Sequence, residues 1–111
     1  MLDPSQFIPP FVSFLAPFLP YLLKMGEKAA EEAGKKLGAE AWERAKALWV
    51  RLRPAVVARP AAQEAVQDAA AQPQDEDALA ALRRQLKKLL TEDPALAAEI
   101  AQLWGEAKPP G

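Results

Sequence analysis

The chain contains no cysteine and no histidine. The first absence excludes disulfides, thiol nucleophiles and thiolate ligands. The second removes imidazole bases and, with the first, nearly all transition-metal sites. Hydroxyls are scarce as well, since Ser5, Ser13, Thr91 and Tyr21 complete the set. An enzyme made from this chain would have to work with carboxylates, lysines and arginines alone. The sequence therefore points away from catalysis, and no cofactor or metal is expected. A surplus of either sign of charge is lacking too: 14 basic side chains stand against 15 acidic ones, for a net charge of -1. No global field steers such a chain onto nucleic acid, and none is expected as a partner. Strand-like alternation and hairpin turn pairs such as Asn-Gly are also lacking. What remains is a protein that acts by shape, surface and assembly.

At 111 residues there is room for one domain and one modest core. Half of the chain is apolar, but much of that is alanine, which buries little area. The patterning predicts an all-α fold, a compact four- to five-helix bundle led by a hydrophobic, proline-rich N-terminal helical segment. One helix is expected from about Glu27 to Arg53, stopped by Pro54, with Ala30, Leu37, Ala41, Ala45, Leu48 and Leu52 as its apolar stripe. A second opens at Pro60 and ends before Pro73. Asp75 or Asp77 caps a third, with Leu79, Leu82, Leu86 and Leu89 on one side and Arg83, Arg84, Lys87 and Lys88 on the other. Asp93-Pro94 is a cap followed by a first-turn proline, and starts a last helix through Leu96, Ile100, Leu103 and Trp104. The domain is expected to cover residues 1–107. Residues 108–111, Lys-Pro-Pro-Gly, read as a linker stub to a further C-terminal module.

The most distinctive part is the stretch from Pro4 to Leu23, PSQFIPPFVSFLAPFLPYLL, which carries no charge at all. It holds all four phenylalanines and five of the 11 prolines. As one helix it would reach about 30 Å, close to the hydrocarbon thickness of a bilayer. Phe7, Phe11, Phe14 and Phe18 recur at spacings that stack them on one face. Ile8, Val12, Leu15, Leu19 and Leu22 repeat the pattern one residue on, which widens the apolar sector. Pro10, Ser13, Pro17 and Pro20 occupy the remaining face. Pro4, Pro9 and Pro10 fit at or before a helix start, whereas Pro17 and Pro20 should kink or interrupt any helix over residues 10–23.

Three readings compete for this leader. A signal peptide is disfavoured, because Met1-Leu2-Asp3 lacks a basic start and prolines interrupt the apolar run. A buried central helix and a membrane-inserting segment both remain, and a bistable segment can be each in turn. On the inserting reading the face is Phe7, Ile8, Phe11, Val12, Phe14, Leu15, Phe18, Leu19, Tyr21, Leu22 and Leu23. Residues 24–59 then carry nine basic and five acidic side chains. Lys24, Lys28, Lys46, Arg51 and Arg53 are the candidate contacts to anionic lipid headgroups, against a plainer reading as a solvated helix face. Small residues at Ala30, Gly34 and Gly38 allow close helix approach. Trp42, Trp49 and Trp104 fit core packing or a lipid interface.

The order of parts resembles a known family. A charge-free Phe/Pro/Leu leader is followed by KAAEEAGKKLGAEAWERAKALWVRLRP, then PAAQEAVQDAAAQPQDEDALAALRRQLKKLL and TEDPALAAEIAQLW. This is similar to the bacterial Bell domains, relatives of the fungal HeLo domains and of the four-helix killer domains of mixed-lineage kinase-like pseudokinases and plant helper immune receptors. The resemblance covers residues 4–107. It implies a cell-death execution domain of a bacterial immune, antiviral signalling protein, cytoplasmic while inactive and at the inner (plasma) membrane once activated. A C-terminal amyloid or signalling module would gather copies into a homo-oligomer. The hydrophobic leader would then be released to enter an anionic lipid membrane and permeabilise it or form a pore. The alternative from a different class is a helical protein–protein interaction adaptor whose leader is only core.

Overall fold

Proline placement decides where this chain bends, and the bends decide which faces meet. A computed structural model describes residues 4–24 and 26–107. Within them the fold is all-α, with no strand among the described residues. The leader forms α1 (Pro4–Leu15), a 3-10 turn (Ala16–Phe18) and α2 (Leu19–Lys24), which together make one bent rod. Then follow α3 (Glu27–Leu37), α4 (Ala39–Val57), α5 (Pro60–Ala71), α6 (Glu76–Glu92) and α7 (Pro94–Ala107). Counting the leader rod once, the described residues hold six helices, more than the four to five expected. The linker stub expected at 108–111 lies outside the described residues.

The extra helix comes from Gly38. The expected helix over 27–53 is broken there into α3 and α4, because Gly38 adopts φ 97° and ψ 130°. That backbone region is almost closed to residues with a Cβ. α3 then packs on α2 and α4. A Cβ at position 38 would meet only the Ala41 Cβ at 4.0 Å, so the obstacle to substitution is conformational and not steric. Gly38→Ala is expected to lower stability by about 1–3 kcal/mol in urea unfolding. An unchanged midpoint would show that the turn does not need this conformation.

Two further expectations about proline are corrected. Pro54 does not stop α4, which runs one turn on to Val57. Pro54 is exposed, so the Val50 carbonyl that loses its donor can meet water, while Val56 at 1% exposure anchors the added turn in the core. Likewise Pro9 and Pro10 lie inside α1, not before its start. Both face solvent, opposite Phe7, Ile8, Phe11 and Val12, and burial of that inner face outweighs the lost hydrogen bonds. The interruption expected at Pro17 and Pro20 is present as the 3-10 turn. Pro20 has no N–H for the Ala16 carbonyl, and Leu19 N–H donates to it instead, which is the tighter i to i+3 pattern.

The caps follow the sequence signals. Asp77 N–H donates to Asp75 Oδ1 at 3.0 Å at the start of α6, and Leu96 N–H donates to Asp93 Oδ1 at 3.1 Å at the start of α7. Packing closes around the leader: α1 lies on α6 and α7, α2 on α3 and α5, while α4 backs onto α7 and α5. The radius of gyration is 13.0 Å, about what one packed domain of this length requires. No polar or charged residue is buried among the described residues.

Candidate functional site

The leader supplies the middle of the core. Phe11, Val12, Leu15, Leu19 and Leu22 are at most 1% exposed, and Phe7, Ile8 and Phe18 are buried with them. Phe14 and Tyr21 are half-buried against the same cluster. Only Leu23, at 43%, stands exposed among the residues expected to form an inserting face. All four phenylalanines join two tryptophans in one unbroken run of rings. Phe7 meets Phe11 at 6.2 Å between centroids, and Phe11 meets Trp104 at 5.7 Å. Trp104 meets Phe14 at 5.5 Å, Phe14 meets Phe18 at 5.4 Å, and Phe18 reaches Trp42 at 6.3 Å. Such edge-on and tilted pairs add about 0.5–1.5 kcal/mol each beyond the area they bury. The three tryptophans are core residues here, at 3–7% exposure.

The outer face of the leader is the more unusual one. Gln6, Pro9, Pro10, Ser13 and Pro17 are exposed and Pro20 is half-buried, and none carries a charge. Helices α3 to α6 present charged solvent faces, with ion pairs such as Arg44–Glu40 at 2.9 Å on α4 and Arg83–Glu76 at 2.6 Å on α6, and α7 contributes the half-buried Glu99 paired with Arg51. Among the described residues, no ion pair or side-chain hydrogen bond ties α1 or α2 to the body. Apolar contact among the described residues holds the leader in place. Residues 6–24 form a helical stretch long and apolar enough to cross a membrane by length and composition, and half of it is buried inside the fold.

The five basic residues proposed for lipid headgroups do not converge. Lys24 and Lys28 are exposed beside the end of the leader. Lys46 pairs with Glu43 at 3.2 Å, and Arg51 with Glu99 of α7 at 3.0 Å. Arg53 lines a small cavity of about 130 Å³ with Leu22, Leu23, Trp49 and Val57. Leu23 and Val57 are two of the three exposed large apolar residues among the described residues, so this corner of the bundle mixes an apolar lip with the guanidinium of Arg53. The denser basic cluster lies elsewhere, on α6, where Arg84, Lys87 and Lys88 border a groove of about 510 Å³ with Arg59. Its spacing is visible in the sequence, but its partner Arg59 comes from the distant joint between α4 and α5.

No metal-binding group of acidic side chains occurs among the described residues. No protein-family model, curated protein or solved structure matches the chain.

Proposed function

We propose that this chain is a membrane-perturbing execution domain of the Bell type, non-enzymatic, whose leader leaves the bundle core for lipid when copies assemble. The observation that carries the reading is the leader's outer face. A core helix of a water-soluble bundle gains nothing from a solvent face without charge, whereas a segment that must enter hydrocarbon cannot carry one. The proline content fits the same purpose, since proline is better tolerated in membrane helices than in soluble ones. Lys24 and Lys28, just beyond the apolar run, would stay at the lipid interface. On this reading the soluble, cytoplasmic state is the bundle described above, and an oligomerising module brings copies to an anionic inner membrane.

The deep burial of Phe11, Leu15, Leu19 and Leu22 favours a second reading, an interaction adaptor in which the leader serves only as core. Dye release from anionic liposomes separates the two. The intact domain, fused at its C-terminus to an oligomerising partner, is expected to release dye, and the unfused monomer to release little. A fusion that stays folded and assembled yet leaves liposomes tight at any protein-to-lipid ratio would exclude the inserting role and leave the adaptor.

A further inference from the structure

A second site lies away from the leader. Arg84, Lys87, Lys88 and Thr91 occupy successive turns of one face of α6, spaced three, four and seven residues from the first. Arg59 faces them across the groove from the joint between α4 and α5. Helical spacing would pair Lys88 with Glu92. The Glu92 carboxylate instead forms an ion pair with Arg59 and holds that guanidinium, which is half-buried, against the groove wall. Among the described residues no carboxylate pairs with Arg84, Lys87 or Lys88. Four cations and one carboxylate therefore border the groove, an excess of three positive charges on a chain whose net charge is -1. Cations in the last turns of α6 also complement its negative end. That accounts for the lysines but not for an arginine delivered from another part of the chain to face them.

From this convergence we infer that the groove binds a phosphorylated ligand, one that presents a dianionic phosphate or adjoining phosphates. The guanidinium groups of Arg59 and Arg84 offer planar forks suited to phosphate oxygens. Lys87 and Lys88 add point charges, and the Thr91 hydroxyl is a further donor. A volume of about 510 Å³ is of the size that small-molecule sites occupy, well beyond a monatomic anion. The inference is independent of the leader's role, because every residue in the groove lies on the folded bundle.

The test is calorimetric titration of the intact chain with sodium tripolyphosphate at physiological salt. Co-sedimentation with phosphatidylcholine vesicles, with and without phosphatidic acid, runs beside it. Tripolyphosphate is expected to bind at one site per chain. The double substitution Arg84→Ala/Lys88→Ala is expected to weaken it about tenfold or more, because two charge-assisted contacts are lost. Neutralising two exposed lysines elsewhere, Lys35→Ala/Lys36→Ala, should leave the affinity within about twofold, since distant exposed charges are screened. All four positions are exposed, so melting curves should stay close to the parent. Binding of tripolyphosphate without recruitment to phosphatidic acid would assign a free phosphorylated ligand. Recruitment to phosphatidic acid that fails in the Arg84/Lys88 variant would assign a lipid headgroup. Absence of both, or equal loss in the two double variants, would overturn the site.

Discussion

Deleting residues 1–23 is expected to leave a chain that does not fold. The deletion removes Phe7, Ile8, Phe11, Val12, Leu15, Phe18, Leu19 and Leu22 from the core, all of them buried. At about 1.5–3 kcal/mol for each fully buried large side chain, these eight contribute roughly 12–24 kcal/mol. A compact unfolded state lowers that figure by about 10–40%. Domains of this size are stable by only roughly 5–15 kcal/mol in total, so the remainder lacks the means to hold itself together. Far-UV circular dichroism with thermal melting checks it: no cooperative transition is expected, and a sharp melt within a few degrees of the parent would refute the accounting. The same magnitude constrains any mechanism of release. The leader cannot swing into water while the body stays folded, because that step alone exceeds the stability of the whole. Its departure has to be concerted with arrival in another apolar medium, so that buried area is exchanged and not lost. It also follows that a truncated protein that fails to permeabilise liposomes says nothing about insertion, since an unfolded adaptor would fail too.

A charge on the leader's outer face avoids that ambiguity. Ser13 is exposed in the bundle and lies near the middle of the apolar stretch. Ser13→Asp should therefore change folding stability by no more than about 0.5 kcal/mol, as surface substitutions usually do. In a bilayer the same carboxylate sits at mid-depth, away from water whether it meets lipid or a neighbouring copy, and is too short to reach the interface. Its insertion costs about 2.5–3.5 kcal/mol on the translocon scale, and near the bilayer centre that means about a hundredfold loss for each inserted copy. The oligomerised Ser13→Asp variant is expected to melt with the parent and to lose dye release, while the isosteric, uncharged Ser13→Asn retains it. Unimpaired release by Ser13→Asp would remove the insertion reading whatever the deletion does.

Local chemistry made much of this fold readable in advance. Asp75, Asp93-Pro94 and Pro60 act at short range through caps and first-turn geometry, and the helices start where they indicate. Gly38 was legible only as one of a set of small residues, because a smooth apolar stripe runs through it and the break depends on how α3 packs on its neighbours. For Pro54, Pro9 and Pro10 the sequence carries only their intrinsic cost, which exposure on the solvent face relieves. The phenylalanine spacing of the leader marked a single face, yet spacing cannot distinguish a protein core from a bilayer. The groove on α6 illustrates a further limit. Arg84, Lys87 and Lys88 look like an ordinary solvated face until Arg59 and its tie to Glu92 are placed opposite them.

The prolines on the leader's outer face have one more consequence. Pro10, Pro17 and Pro20 have no N–H, so the carbonyls of Gln6 and Ser13 lack their usual helical donors, and the Ala16 carbonyl depends on a 3-10 bond. In water such groups are solvated. Against acyl chains each unsatisfied carbonyl would cost several kcal/mol, so an inserted leader that kept this conformation could not turn that face to lipid. It would have to turn it towards a neighbouring copy, in a contact closed to water, with the phenylalanines outward. Gln6 and Ser13 carry side-chain donors on that face, so the copies would have to meet in a register that brings these groups to one another's orphaned carbonyls.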